Sequence, residues 1–191
     1  MSVAEHKRHA PAAPTVRVAV ITVSDTRTEA TDEGGRLVRE RCQGAGFSVV
    51  STGILKDEPA DVAARVRALC GGGAVDVILL TGGTGLGRRD TTVEAVAALF
   101  DKTIDGYGEL FRALSYAEIG AAAMLSRATA GTIGAVAVFA MPGSPAGARL
   151  ALDKLILPEL QHVVAELHRQ GAPAAGDHHH HHDHGHGHDH G

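Results

Sequence analysis

Apolar and polar positions along this chain fall into blocks whose period switches between strand-like and helix-like. Val16 to Val23, VRVAVITV, is rich in β-branched residues and predicts a strand. A polar stretch follows, and Asp32 is placed to cap a helix running to about Gln43, stopped by Gly44 and Gly46. Phe47 to Leu55 predicts a second strand. Pro59 suits the first turn of the next helix, with Val62, Val66 and Leu69 on one stripe. Gly71, Gly72 and Gly73 end it. Val77-Ile78-Leu79-Leu80 is a continuous apolar run, as expected of a strand buried on both faces. Thr91 or Thr92 can cap a helix with an inner face of Val93, Val96, Ala97 and Phe100. Asp101 to Gly108 is predicted as a connector. Short helices are predicted over Glu109 to Leu114 and Tyr116 to Ala123, and strands over Ala128 to Thr132 and Gly134 to Met141. Ser144 with Pro145 starts a helix to about Leu157. Pro158 restarts another, striped by Leu160, Val163, Val164 and Leu167.

Strands alternate with helices through most of the chain. The pattern predicts a three-layer α/β/α fold with a mainly parallel sheet and one antiparallel addition late. Four loops follow predicted strands: Ser24-Asp25, Asp57-Glu58, Gly82 to Asp90, and Pro142 to Ser144. In parallel strands these loops share one sheet edge, where ligands of open α/β sheets bind.

The chain has 191 residues, enough for one domain with a core and two tails: an N-terminal arm over 1–14, a domain over 15–170, and a spacer and tail over 171–191. Aromatics are only 3%, so Ala, Val, Leu and Ile must build the core. The net charge of −4 offers nothing to a nucleic acid. No apolar run approaches the roughly 20 residues that span a bilayer, and the N-terminus has no apolar signal core. Cys42 and Cys70 fall in predicted helices and read as buried free thiols of a reducing cytoplasm.

Candidate chemistry concentrates in VDVILLTGGTGLGRRD, Val75 to Asp90. A buried strand breaking into a glycine-rich loop before a helix lets backbone amides approach an anion, and a helix N-terminus adds partial positive charge. The loop lacks the lysine of a Walker A sequence, and its glycine spacing is not the Rossmann fingerprint. Phosphate binding and a tight structural turn both remain open for it. Arg88, Arg89 and Asp90 favour a charged ligand, since a turn does not need them. Asp25, Asp57 and Asp90 near such a loop point to Mg²⁺, which shares oxygen ligands with phosphates. The residues alone reach nucleotide or phosphoester chemistry and no further.

The strings TGGTGLGRRD, FDKTIDGYGELFR, SRATAG and FAMPGS, with VSDTRTEATDEGG and ILKDE, resemble the MogA/MoaB family of molybdenum-cofactor biosynthesis proteins, from about Val16 to about Leu167. FAMPGS and the length resemble the MoaB branch, while Arg88-Arg89-Asp90 resembles MogA. The resemblance implies the MogA/MoaB-like molybdopterin-binding fold and adenylylation of molybdopterin: AMP passes from ATP to its terminal phosphate, and pyrophosphate leaves with Mg²⁺. It implies catalytic roles and Mg²⁺ contact for Asp57 and Asp90. It implies ligand contacts for Ser24, Asp25, Gly82, Gly83, Thr84, Gly85, Arg88, Arg89, Glu109, Pro142, Gly143 and Ser144. It also implies trimers or hexamers, and a MoeA-type molybdate insertase as a partner. A non-catalytic molybdopterin-binding scaffold of the same fold is the alternative.

Several of these residues have plainer readings. Asp57 and Ser144 can cap helices, Asp25 can close a turn, and Glu109 can be a first-turn helix acid. Arg88 and Arg89 can be solvated, and His162 and His168 can be surface residues. The tail carries His178, His179, His180, His181, His182, His184, His186, His188 and His190, with interspersed Asp and Gly. Such imidazole density binds Ni²⁺, Zn²⁺ or Cu²⁺.

Overall fold

The computed structural model describes residues 16–169. The expected arm over 1–14 and the expected spacer and His-rich tail over 171–191 lie outside the described residues. Elements run β1 (Arg17–Val23), α1 (Glu33–Gly44), β2 (Ser48–Leu55), α2 (Pro59–Gly71), β3 (Val77–Thr81), α3 (Thr92–Ala97), β4 (Lys102–Thr103), α4 (Asp105–Ile119), β5 (Thr129–Ile133), β6 (Val136–Met141), α5 (Pro145–Ala151) and α6 (Leu157–Arg169). The six strands form one sheet in the order β2-β1-β3-β6-β5-β4. β1 is parallel to β2 and β3, and β3 to β6. β5 returns antiparallel to β6, and β4 pairs antiparallel with β5.

Side-chain alternation divides the sheet between two cores. Val18, Val20, Val77, Leu79 and Phe139 face α1, α4, α5 and α6, together with Val38, Phe111, Leu152 and Leu160. Ile21, Ile78, Leu80 and Val138 face α2 and α3, with Val62, Val66 and Val96. Every residue of β3 and β6 is buried, which is why both read as unbroken apolar runs. Tyr107 stands edge-on to Phe139, ring centroids 5.3 Å apart, so even the scarce aromatics are concentrated here. The three-layer α/β/α arrangement with an antiparallel addition matches the expectation.

Four local readings are corrected. The expected connector over 101–108 contains a strand and the start of a helix. Asp101 and Ile104 donate to the carbonyls of Thr132 and Ala130, which fixes β4 on the sheet edge. Gly106-Tyr107-Gly108 lies inside α4, and a side chain at Gly108 would meet the Ala128 carbonyl at 2.8 Å. The two short helices are one, because Ser115 is a buried helical residue and the break comes only at Gly120, at φ 62°. In α3 the inner residues are Thr92, Ala95 and Val96; Ala97 is exposed, and Phe100 lies past the helix beneath Gly131. Pro158 does stand in the first turn of α6, but the helix before it does not stop first. A π segment, Leu152–Ile156, joins α5 to α6 without a break.

At the sheet edge opposite the four loops, Asp76 is held by Arg17. The Arg17 amide and Nε donate to Oδ2 at 2.7 and 3.1 Å, and Nη2 donates to Oδ1 at 2.7 Å. Burial works against ionisation of Asp76, but the hydrogen bonds and charge of Arg17 outweigh it, and its carboxyl sits below the usual range. Asp76→Ala should cost roughly 2 kcal/mol, less than a fully buried pair because the Arg17 side chain is half exposed. A depressed folded pKa stabilises above the unfolded value, near 4 for aspartate, and that contribution fades as pH falls through the folded one. Urea unfolding should therefore show the wild-type advantage at pH 7 narrowing toward pH 3. A constant gap would contradict this.

Candidate active site

The parallel strands β1, β2, β3 and β6 bring all four loops to one edge, as their order required. The β3–α3 loop opens with Gly82 at φ 105° and Gly83 at φ 62°. Gly82 donates its amide to the Met141 carbonyl, tying the loop to the end of β6. Thr81 Oγ1 donates to the Pro142 carbonyl at 3.0 Å. A side chain on Gly143 would meet Gly82 Cα at 3.1 Å, so glycine allows the two loops to touch.

Between them lies a cavity of about 460 Å³. Gly82 to Gly85 and Asp90 line one side, and Pro142, Gly143 and Ser144 another. Phe111 and Ser115 of α4 face them, with Ser126 from the segment before β5. Ser126 Oγ is buried without a hydrogen-bond partner, a cost that a polar ligand group would remove.

The amides of the loop are divided. Thr91 donates to Asp57 Oδ1, Thr92 to the Gly83 carbonyl and Asp90 to the Gly87 carbonyl, so the start of α3 is consumed internally. The helix charge expected from the sequence is therefore not what faces a ligand, and α3 has only six residues. Among the described residues, the amides of Gly83, Thr84, Gly85 and Leu86 donate to no protein acceptor. Consecutive unpaired amides are the donor set from which an anion-binding nest is made, and those of Gly83, Thr84 and Gly85 border the cavity.

The two carboxylates singled out at the start have different surroundings. Asp57 is buried; its Oδ1 accepts from the Thr91 amide and hydroxyl at 3.1 and 3.0 Å, and its Oδ2 lies against Gly83. It supports the loop from behind and does not line the cavity. Asp90 lines it. Its Oδ2 accepts from the Gly87 amide at 2.9 Å, while Oδ1 accepts nothing among the described residues.

The other candidates scatter around this pair. Asp25 grips Arg89 through both oxygens, at 2.9 and 3.0 Å, and accepts the Asp57 amide. Arg89 also reaches Glu58 at 2.8 Å. The hydrogen bonds from Arg89, then the Asp57 amide, hold the Asp25 carboxyl below its usual range, and the same acids push the Arg89 guanidinium up. Arg88 is exposed and pairs with no described residue. Ser24 caps its own turn by accepting the amides of Thr26 and Arg27, and borders a separate cavity of about 70 Å³ beside Gly82 and Gly143. Ser144 caps α5 through the Gly147 amide at 3.2 Å and lines the main cavity as well. Glu109 is exposed on α4, away from the cavity. His162 sits between Glu159 and Glu166, and His168 is 3.8 Å from Asp76, so neither is near the site.

Sequence reasoning missed Phe111, Ser115, Ser126 and Arg127. Phe111 and Ser115 are four apart and share a helix face, a signal hidden by splitting α4 between them. Arg127 stands in the quoted SRATAG string but was not singled out.

No group of three or more His, Cys, Asp or Glu is placed to hold a metal among the described residues. The donors present fit Mg²⁺ carried by a phosphate ligand, since one free oxygen on Asp90 can join phosphate oxygens and water in its shell.

An α/β domain with unpaired loop amides, a facing Pro-Gly-Ser turn and one free carboxylate offers the donors and the cation ligand that a phosphoester can use. The comparisons make this specific. A family model described as "Probable molybdopterin binding domain" matches residues 19–162, and the chain belongs to that family. Molybdenum cofactor biosynthesis protein B of Bacillus cereus is 54% identical over 171 residues, covering 89% of this chain and all of that protein. Its counterpart in Bacillus subtilis is 50% identical over 170 residues, 88% of this chain and 99% of that one. Among solved structures, a molybdenum cofactor biosynthesis protein B superposes with TM-score 0.81 at 53% identity, covering 84% of this chain and all of that chain. A structure of MogA gives 0.70 at 30% identity, over 79% of this chain and 99% of that one.

Proposed function

We propose that this chain acts in molybdenum-cofactor biosynthesis as a molybdopterin adenylyltransferase. The observation that supports it most is the nest of unbonded amides from Gly83 to Leu86 beside the free oxygen of Asp90. The amides hold phosphate of ATP or molybdopterin. The terminal phosphate oxygen of molybdopterin attacks the α-phosphorus of ATP; that P–O bond forms as the bond to the bridging oxygen breaks, and pyrophosphate departs with the electron pair. Asp90, with its free oxygen, would hold Mg²⁺ together with the ligand phosphates, and the metal would supply charge neutralisation on the departing pyrophosphate; Asp57, buried behind the loop, is not placed to share it. Arg88, exposed and unpaired, is free to meet the same charge. Asp57 keeps the loop seated by binding Thr91.

The test is release of pyrophosphate from ATP that depends on added molybdopterin. Release only when both are present is expected. Binding of molybdopterin without release would overturn the enzyme reading in favour of a scaffold.

No helix among the described residues is long and apolar enough to cross a membrane, and we read the protein as cytoplasmic. Leu110, Tyr116, Ile119, Met124 and Leu125 are exposed along α4 and the 3₁₀ turn that follows it, Gly120–Leu125. Tyr116, Ile119, Met124 and Leu125, grouped at the end of α4 and in that turn, support association of copies into a trimer or hexamer, and a MoeA-type insertase is proposed as a further partner. Sedimentation velocity should show no monomer boundary at micromolar concentration; a stable monomer would sink the proposal.

A further inference from the structure

Arg127 lies just before β5, outside every loop discussed above, yet one guanidinium reaches both ends of the glycine loop. Nε donates to the Thr84 carbonyl at 3.3 Å, and Nη2 donates to the Asp90 carbonyl at 2.8 Å. Nη1 pairs with Glu94 in the first turn of α3. The segment between the two anchored carbonyls, 85–89, is largely exposed and has little else to hold it. Its internal ties are the two bonds between Gly87 and Asp90, and its other external tie is Arg89 to Asp25 and Glu58 on the far side.

We propose that Arg127 is the positioning residue of this site: it straps the loop closed at Thr84 and Asp90, and so fixes where the Asp90 carboxylate and the free amides stand relative to each other. This rests on the adenylyltransferase reading for its effect on rate, though not for its effect on the loop. Three features of the geometry support it. The two acceptors are backbone carbonyls, so the strap acts on the path of the chain rather than on one rotamer. The fork is planar and its donors diverge, so a single group can bind three acceptors in different directions, which an ammonium on a flexible stem cannot do with the same precision. The charge is balanced by Glu94, whose carboxyl is held low because Arg127 outweighs the cost of its burial. A balanced guanidinium holds the loop without competing as a free cation for phosphate, and Arg88 keeps that role.

The consequence is a division of labour between two arginines of the same neighbourhood. Arg89 holds the exposed turn from the Asp25 side through side-chain carboxylates, where solvent and salt weaken the contact. Arg127 holds the cavity side through main-chain oxygens, with only a quarter of its side chain exposed. Precise placement of reacting groups is where small shifts are costly in rate.

The experiment compares wild type, Arg127→Ala, Arg127→Lys and Glu94→Gln in the full chain. Amide hydrogen exchange over residues 84–91 should speed by at least about tenfold in Arg127→Ala while β1, β3 and β6 stay protected, as expected when one local unit loses its tie. In the pyrophosphate-release assay, kcat should fall about 10- to 30-fold with a smaller change in KM for ATP. Guanidinium ion, well below unfolding concentrations, should restore part of kcat to Arg127→Ala, and equal ammonium should not. Arg127→Lys should fall between wild type and Arg127→Ala, and Glu94→Gln, which removes the balancing charge but keeps an acceptor, should lose less than Arg127→Lys. Unchanged exchange over 84–91 in Arg127→Ala overturns the strap whether or not the protein is an enzyme. If wild type releases no pyrophosphate, the adenylyltransferase reading fails, and the exchange result still decides the strap. Loss of kcat without guanidinium rescue and with core exchange also raised would assign Arg127 a general folding role and overturn positioning.

Discussion

Asp90→Asn protein should bind molybdopterin nearly as wild type does and lose the proposed adenylyl transfer by roughly 10²–10³-fold, the scale for removing one preorganised electrostatic group. The substitution is unusually clean here. Asp90 Oδ2 accepts the Gly87 amide at 2.9 Å, and the oxygen of an asparagine can accept the same bond. The Arg127 tie is to the Asp90 carbonyl, which the change does not touch. What changes is Oδ1, the oxygen with no partner among the described residues: it becomes an NH₂ that donates and cannot ligate a cation. Loop geometry, fold and phosphate nest are kept, so a fall in kcat reports charge alone. Molybdopterin affinity by fluorescence quenching, a thermal melt and the pyrophosphate assay on one preparation are sufficient. An unchanged kcat would remove Asp90 from the chemistry. A protein that no longer binds molybdopterin would place Asp90 in ligand binding instead.

Most of the fold could be read because its determinants are local. Asp32 caps α1 by accepting the Gly35 amide, Ser144 caps α5, and Pro59 and Pro145 start their helices. Strands covered on both faces have no choice but to be apolar, so β3 and β6 were plain. The misreadings arose where distant residues decide. A glycine stands at helical position 108 because the Ala128 carbonyl and the Arg112 guanidinium occupy the space of a side chain, so it reads as a breaker without being one. β4 exists because Asp101 and Ile104 find acceptors on β5. The site followed the same division. That four loops meet was implied by parallel strands, and that the glycine loop matters was visible in its composition. Sequence spacing could not show that Asp25 and Arg89 are each other's partners across 64 residues, or that Arg127 reaches back 37 residues to Asp90. Nor could it separate Asp57, with Oδ1 engaged by Thr91, from Asp90, with one oxygen open.

Gly82→Ala should be the most destabilising single change in the loop, at about 2–6 kcal/mol. Two penalties combine. At φ 105° an L side chain is strained, by roughly 1–3 kcal/mol. The new Cβ would also collide with the Val23 carbonyl oxygen, which belongs to the backbone of a buried strand and cannot swing away, adding roughly 1–3 kcal/mol for overpacking. Gly134→Ala is the matched control. It has φ 56° with nothing within 4 Å of an added Cβ, so it should carry the strain alone, about 1–2 kcal/mol. Urea unfolding should show a much larger fall in midpoint for Gly82→Ala than for Gly134→Ala, with similar slopes. Equal losses would mean that β1 does not press on the loop as the structure has it. The comparison also sorts the glycines by purpose. Gly82 is required by the fold before any ligand is considered, so its presence says little about phosphate. Gly85 is outside the left-handed region, and the nearest atoms to an added Cβ there all belong to the Asp90 carboxyl group, Oδ2 at 2.8 Å. Gly87 is placed likewise, with Asp90 Oδ2 at 2.6 Å from an added Cβ, so the missing side chains of Gly85 and Gly87 serve the carboxylate, and these two, rather than the more conspicuous Gly82, are the glycines whose identity bears on chemistry.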